Sequence, residues 1–162
     1  MVTQVEMTER IEAAYRLLAP CRVCPRECEV DRLKDDKLGF CRTGLNPVVA
    51  SVSPHHGEEP PISGTRGSGT IFFTNCNLRC EYCQNYPISQ LGHGTERTPG
   101  ELACQMLWLQ EQNCHNVNLV TPTHVVPQIL KAVGIARAQG RAIPRSWYPE
   151  RLETLRGERN HR

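Results

Sequence analysis

The chain has no apolar run of the length needed to cross a bilayer, roughly 20 residues. Its first ten residues, MVTQVEMTER, include acidic side chains and no apolar core. Neither a secretory signal nor a membrane anchor is therefore expected there, and the cytoplasm is the expected location. The formal net charge is only +2, and basic residues gather in the terminal RGERNHR without interleaved aromatics. A nucleic-acid partner is accordingly not expected. Gly64, Gly67 and Gly69 have no lysine after them at Walker spacing, which argues against a phosphate cradle and for a turn entering a strand.

Cysteine, by contrast, is abundant: nine residues in a chain of 162. An odd count fits a disulfide framework poorly, and reduced cysteines at regular spacing read as metal ligands. Three of them follow an apolar run within GSGTIFFTNCNLRCEYCQNYPISQ, residues 67–90. Residues 70–74 are β-branched and aromatic and are bounded by Gly69 and Asn75, so they are expected to form a buried strand. Cys76, Cys80 and Cys83 then fall in the loop at its carboxyl end, the usual place for chemistry in parallel α/β folds. The same spacing could place them on one helix face as a buried stripe. Arg79 and Pro87 break that stripe, and Asn75, Asn77 and Asn85 favour a loop.

Three thiolates suit zinc or an iron-sulfur cluster. A closed zinc site needs a fourth ligand, to be found only at distant Cys104, Cys114 or His93. A four-iron cluster makes better use of three thiolates, because one iron is left open for an exogenous ligand.

The motif C-x3-C-x2-C, with Tyr82 just before the last cysteine, resembles the cluster motif of the radical S-adenosylmethionine (SAM) superfamily. The longer run CNLRCEYCQNYPISQ is similar to the uncharacterised branch related to pyruvate formate-lyase activating enzymes, where CQN-x-x-IS follows the last cysteine. The resemblance implies that Cys76, Cys80 and Cys83 hold a 4Fe-4S cluster. Its open iron would chelate SAM, and one electron would cleave SAM to methionine and a 5′-deoxyadenosyl radical. It places Tyr82 beside the adenine and Gln84 and Asn85 near the cluster, although capping a loop would equally explain the latter two. It further implies an electron donor such as flavodoxin or ferredoxin, and a protein substrate if the chain activates a glycyl radical enzyme. No catalytic residue is assigned. The alternatives are a non-enzymatic iron-sulfur or zinc-binding protein, or an inactive truncated homologue.

Residues 6–18 are expected to form a helix with Ile11, Ala14, Tyr15 and Leu18 on one face, ended by Pro20. Cys21, Cys24, Cys28 and Cys41, spaced C-x2-C-x3-C-x12-C among charged and turn-forming residues, form a second candidate metal site for zinc or another cluster. The CP-R-x-C pattern there is similar to the region preceding the core in the same branch. Residues 47–68 read as an extended connector with a short strand-like run. His55, His56, Glu58 and Glu59 within it are read as exposed loop charges rather than ligands.

Thr98-Pro99-Gly100-Glu101 is a capping box opening a helix to about residue 113, with Leu102, Met106 and Leu109 inward. Cys104 and Cys114 are read as ordinary buried thiols. Residues 116–121 make a second strand, so strand, crossover helix and strand form a parallel βαβ unit. The following loop then opens beside the cysteines. Where the superfamily has a GGE-type segment for the SAM amino group, this chain has Thr121, Pro122, Thr123 and His124. Thr121 and Thr123 are the candidate SAM contacts there, with His124 read as a residue that starts a helix. Residues 127–139 form the next helix, with Ile129, Leu130, Val133 and Ala136 inward and Gly140 as its cap. A third strand is expected to begin at residues 142–144.

The expected fold is therefore α/β: the amino-terminal βαβα portion of a partial radical SAM (β/α) barrel, preceded by a cysteine-rich loop segment. Residues 1–66 would hold the first helix, that segment and the connector, residues 67–145 the partial core, and residues 146–162 a divergent tail. Because too few strands are counted to complete a barrel, a C-terminally truncated member that turns over SAM poorly is expected.

Overall fold

A computed structural model describes residues 3–34, 39–57 and 59–139. Thr3 opens helix α1 (Gln4–Arg16) through a reciprocal capping box with Glu6, which satisfies backbone donors that the first turn would otherwise leave bare. The helix begins and ends two residues before the expected bounds. Met7 is its buried residue, and Leu18, just past its end, is fully buried.

The cysteine-rich segment follows, with one 3-10 turn at Arg32–Lys34. Next come strand β1 (Val48–His55), the single turn α2 (Pro60–Ser63), strand β2 (Ser68–Phe73) and the single turn α3 (Tyr86–Ser89). The chain continues through strand β3 (Thr95–Glu96), helix α4 (Pro99–Glu111), strand β4 (Val117–Val120), a 3-10 turn at Thr123–Val125 and helix α5 (Val126–Ala138).

The four strands form one mixed sheet in the order β3-β1-β2-β4. β2 and β4 are parallel, pairing Gly69 with Val117 through Phe72 with Val120, as the βαβ reading requires. β1 is antiparallel to both β2 and β3. The connector thus supplies a long central strand rather than a short docked run, with a register irregularity between Val49 and Ser51. The crossover from β2 to β4 also departs from expectation, because it contains β3, which pairs at the far side of β1.

α4 begins at the Thr98–Glu101 capping box and packs on β1, β2 and β4. Gly69 is the point of closest approach. An added Cβ there would lie 2.9 Å from Leu109 Cβ and 3.1 Å from the Asn116 carbonyl oxygen. α5 packs on α4, and α1 packs on α5 in turn. The core joins Ile71 and Phe73 of β2 to Leu102, Met106 and Leu109 of α4 and Ile129, Ala132 and Ala136 of α5. Each large apolar side chain removed from water here contributes about 1.5–3 kcal/mol. Leu130 and Val133 of α5 are only half-buried; Ala132 takes the inward position instead. The expected cap at Gly140, the third strand at residues 142–144 and the tail at 146–162 lie outside the described residues. No helix among those described is long and apolar enough to cross a membrane.

Candidate metal centre

β2 carries the chain up to Thr74 in the core and releases it at Asn75, which adopts a left-handed backbone (φ 58°). Arg79 does the same (φ 51°), so the segment from Cys76 to Cys83 winds as a loop and not as a helix. The helix-stripe reading of the three cysteines is thereby excluded. Cys76 is buried, Cys83 half-buried and Cys80 exposed.

All three line one cavity of about 80 Å³, together with Phe72 and Phe73 from the end of β2, Val120 and Thr121 from the end of β4, and Leu78, Asn85, Ile88 and Ser89 from the loop. The carboxyl ends of two parallel strands thus converge on the thiols. Among the described residues, no three His, Cys, Asp or Glu side chains are gathered around one ion. A mononuclear site needs every sulfur about 2.3 Å from a single point, whereas a cluster gives each thiolate its own iron. The three thiols are spread around a cavity whose other lining is mainly apolar: Phe72, Phe73, Leu78, Ile88 and Val120.

The sulfurs have hydrogen-bonding neighbours of the kind that tune such centres. The Leu78 amide donates to Cys76 Sγ at 3.4 Å, and Ser89 Oγ lies 3.1 Å from Cys83 Sγ. Backbone bonds tie the two ends of the loop together: Asn75 N to Ile88 O at 3.1 Å and Cys76 N to Ser89 O at 2.9 Å.

The other candidate residues are dispersed unevenly. Asn85 and Thr121 line the cavity. Thr121 has a left-handed backbone (φ 55°), and its hydroxyl donates to the Val120 carbonyl at 2.7 Å. Gln84 is exposed, and Tyr82 is 94% exposed. Thr123 opens the 3-10 turn, is half-buried and does not line the cavity.

His124 does more than start a helix. It is buried, with its ring Nε2 2.9 Å from the Thr74 carbonyl. A carbonyl only accepts, so Nε2 carries the proton. Burial, reinforced by the Arg32 guanidinium, pushes its pKa down to about 4.

The amino-terminal cysteines form a second group. Cys21, Cys24, Cys28 and Cys41 line a cavity of about 10 Å³ with Arg32, Phe40, Asn77 and His124. The segment folds back on itself through Cys21 N to Val30 O at 2.9 Å and Glu29 N to Cys21 O at 3.1 Å. Phe40 N donates to Cys28 Sγ at 3.4 Å. Burial pushes the Cys24 thiol up, and the nearby Cys41 and Cys21 thiols add to that effect.

Sequence spacing did not disclose that this group sits directly against the loop of Cys76, Cys80 and Cys83. The Arg26 guanidinium donates to the Asn77 carbonyl at 3.1 Å and lies 3.9 Å from the Phe40 ring centroid, while Arg79 lies over the same ring at 4.7 Å. Asn77, next to Cys76 in the chain, faces the amino-terminal cavity.

All nine cysteines are free thiols. Cys114 is buried in the core, but Cys104 is exposed on α4, which corrects its reading as a buried thiol. His55, His56 and Glu59 are exposed as expected, but His55 is the last residue of β1 and not a loop residue. His55 pairs with Ser68, at the end of β2 remote from the cysteine loop, and Glu58 lies outside the described residues.

No protein-family model matches the chain, and no solved structure matches it. Two curated proteins of Methanocaldococcus jannaschii do. Uncharacterized protein MJ0674 is 30% identical over 157 residues, covering 91% of this chain and 44% of that protein. Uncharacterized protein MJ0808 is 32% identical over 83 residues, covering 43% of this chain and 24% of that protein. The chain spans less than half the length of each.

Proposed function

We propose that this chain is a radical SAM iron-sulfur protein in which Cys76, Cys80 and Cys83 hold a 4Fe-4S cluster with one iron open to SAM. In this reading the mixed α/β sheet carries the first strands of a partial (β/α) barrel. The observation that carries it is the gathering of three thiols in one cavity at the carboxyl ends of parallel β2 and β4. When bound, the cluster supplies the electron for reductive cleavage of SAM.

The chain's own residues prepare that chemistry. The three thiols give up their protons to become ligands. Phe72, Phe73, Ile88 and Val120 wall the cavity with apolar surface that holds water away. The hydroxyl hydrogen of Thr121 is already committed to the Val120 carbonyl, so Thr121 offers SAM an acceptor. Tyr82, Gln84, Asn85 and Thr123 are the remaining candidate contacts to SAM. An external donor such as flavodoxin or ferredoxin would deliver the electron, and a protein glycine is the substrate suggested by the resemblance to glycyl radical activating enzymes.

Anaerobic reconstitution with iron and sulfide, reduction, and assay for 5′-deoxyadenosine test the reading. The expected result is SAM-dependent perturbation of the cluster's EPR spectrum together with formation of 5′-deoxyadenosine. A cluster whose spectrum ignores SAM and yields no product would leave a non-enzymatic iron-sulfur protein.

The four amino-terminal thiols are proposed as a separate structural metal site. Their cavity of about 10 Å³ is roughly that of one water-sized sphere, which favours a single ion such as zinc over a second cluster. A variant lacking Cys76, Cys80 and Cys83 is expected to retain about one zinc per chain by metal analysis under reducing conditions. A variant free of both zinc and iron would remove this segment from consideration as a metal site.

A further inference from the structure

α2 and α3 are both four-residue turns that end in Pro-Ile-Ser. In α2 the terminal Ser63 hydroxyl bonds the carbonyl four residues back, Glu59 O, at 3.3 Å, the habitual local acceptor for a helical serine. In α3 the equivalent carbonyl is Asn85 O, which accepts the Ser89 backbone amide at 2.8 Å. The Ser89 hydroxyl turns instead to Cys83 Sγ at 3.1 Å, in a position only 4% exposed. Local helical preference does not explain that choice.

The same turn reaches all three cysteines. The Ser89 carbonyl accepts the Cys76 amide at 2.9 Å, its hydroxyl meets Cys83, and the adjoining Gln90 side chain donates to the Cys80 carbonyl at 3.1 Å. Resting on the cluster reading above, we infer that Ser89 is a positioning residue: it fixes the Cys83 sulfur for ligation and donates its hydroxyl hydrogen to that sulfur when it is a bound thiolate. A thiolate has no proton to give, so within the bonded pair the hydroxyl must be the donor. Reduction adds negative charge to the cluster, so a donor at sulfur stabilises the reduced state more than the oxidised one and raises the potential.

The test is the midpoint potential of the reconstituted cluster, read by dye-mediated EPR titration without SAM, in wild type, Ser89→Ala and Ser89→Thr. The alanine variant is expected to hold a cluster whose potential is more negative, and the threonine variant, which keeps the hydroxyl, to return toward wild type. Loss of the cluster in Ser89→Ala with retention in Ser89→Thr would equally support the hydroxyl's hold on Cys83. Wild-type potentials in both variants, or loss of the cluster in both, would overturn the inference while leaving the cluster reading intact. A wild-type chain that assembles no cluster at all would overturn both.

Discussion

In a chain whose amino-terminal cysteines are replaced, changing any one of Cys76, Cys80 and Cys83 to alanine is expected to abolish cluster assembly. The expectation follows from the donor set. Three thiols line the cavity and no fourth cysteine joins them among the described residues, so in the proposed cluster the loss of one would leave two irons without a protein ligand. Iron and acid-labile sulfide content, with the visible charge-transfer absorption, measures the outcome. All three variants should fall to background, whereas a normal cluster retained in all three would remove the assignment. Cys80 is the informative member. It is exposed, so its replacement opens no core cavity, and a loss of cluster there cannot be ascribed to misfolding of the sheet.

The second large effect concerns Arg32, whose side chain is 1% exposed. Its Nε and Nη2 donate to the Gly44 carbonyl at 3.1 and 3.0 Å, and its Nη1 donates to the His124 carbonyl at 2.8 Å. Nη1 also lies 3.9 Å from Cys21 Sγ. One guanidinium thus joins the cysteine-rich segment, the turn before β1 and the 3-10 turn that precedes α5. Arg32→Met fills much of the same volume but leaves two buried carbonyls without these donors. Hydrogen bonds from a charged donor contribute about 1.5–3 kcal/mol each, and a stranded acceptor adds its own desolvation cost. The variant is expected to lose on the order of 3–5 kcal/mol by urea unfolding. Arg32→Lys should recover only part, because an ammonium cannot span both carbonyls with the planar fork. A methionine variant within about 1 kcal/mol of wild type would show that the bridge is dispensable.

Local signals in this chain were legible where a few adjacent residues determine the outcome. Thr98 to Glu101 announces α4, and the cap forms as written; Thr3 and Glu6 carry the same T-x-x-E signature at α1, although the expected helix began two residues late. The apolar run into the cysteines gave β2 and its loop, and βαβ logic gave the parallel partner β4. The antiparallel placement of β1 escaped the reading because Ser51, Ser53 and Pro54 dilute its apolar alternation, and pairing direction leaves no mark in periodicity. β3 has two residues, too few for any pattern.

At the site, spacing identified the cysteines but not their neighbours. Arg32, Asn77 and His124 acquire their roles from partners far along the chain, which no local window contains. Ser89 was visible as the last letter of a motif, yet its bond to Cys83 exists only because α3 folds the loop back on itself.

The bond from Arg32 to His124 spans 92 residues of chain, and that separation has a consequence for biosynthesis. At about 5–20 residues per second, a ribosome needs roughly 5–18 s to deliver the acceptor after Arg32 has emerged. Throughout that interval the cavity of the amino-terminal thiols lacks the part of its wall that His124 supplies. A metal taken up by those thiols, as proposed above, would therefore meet a more open segment before His124 arrives than after it.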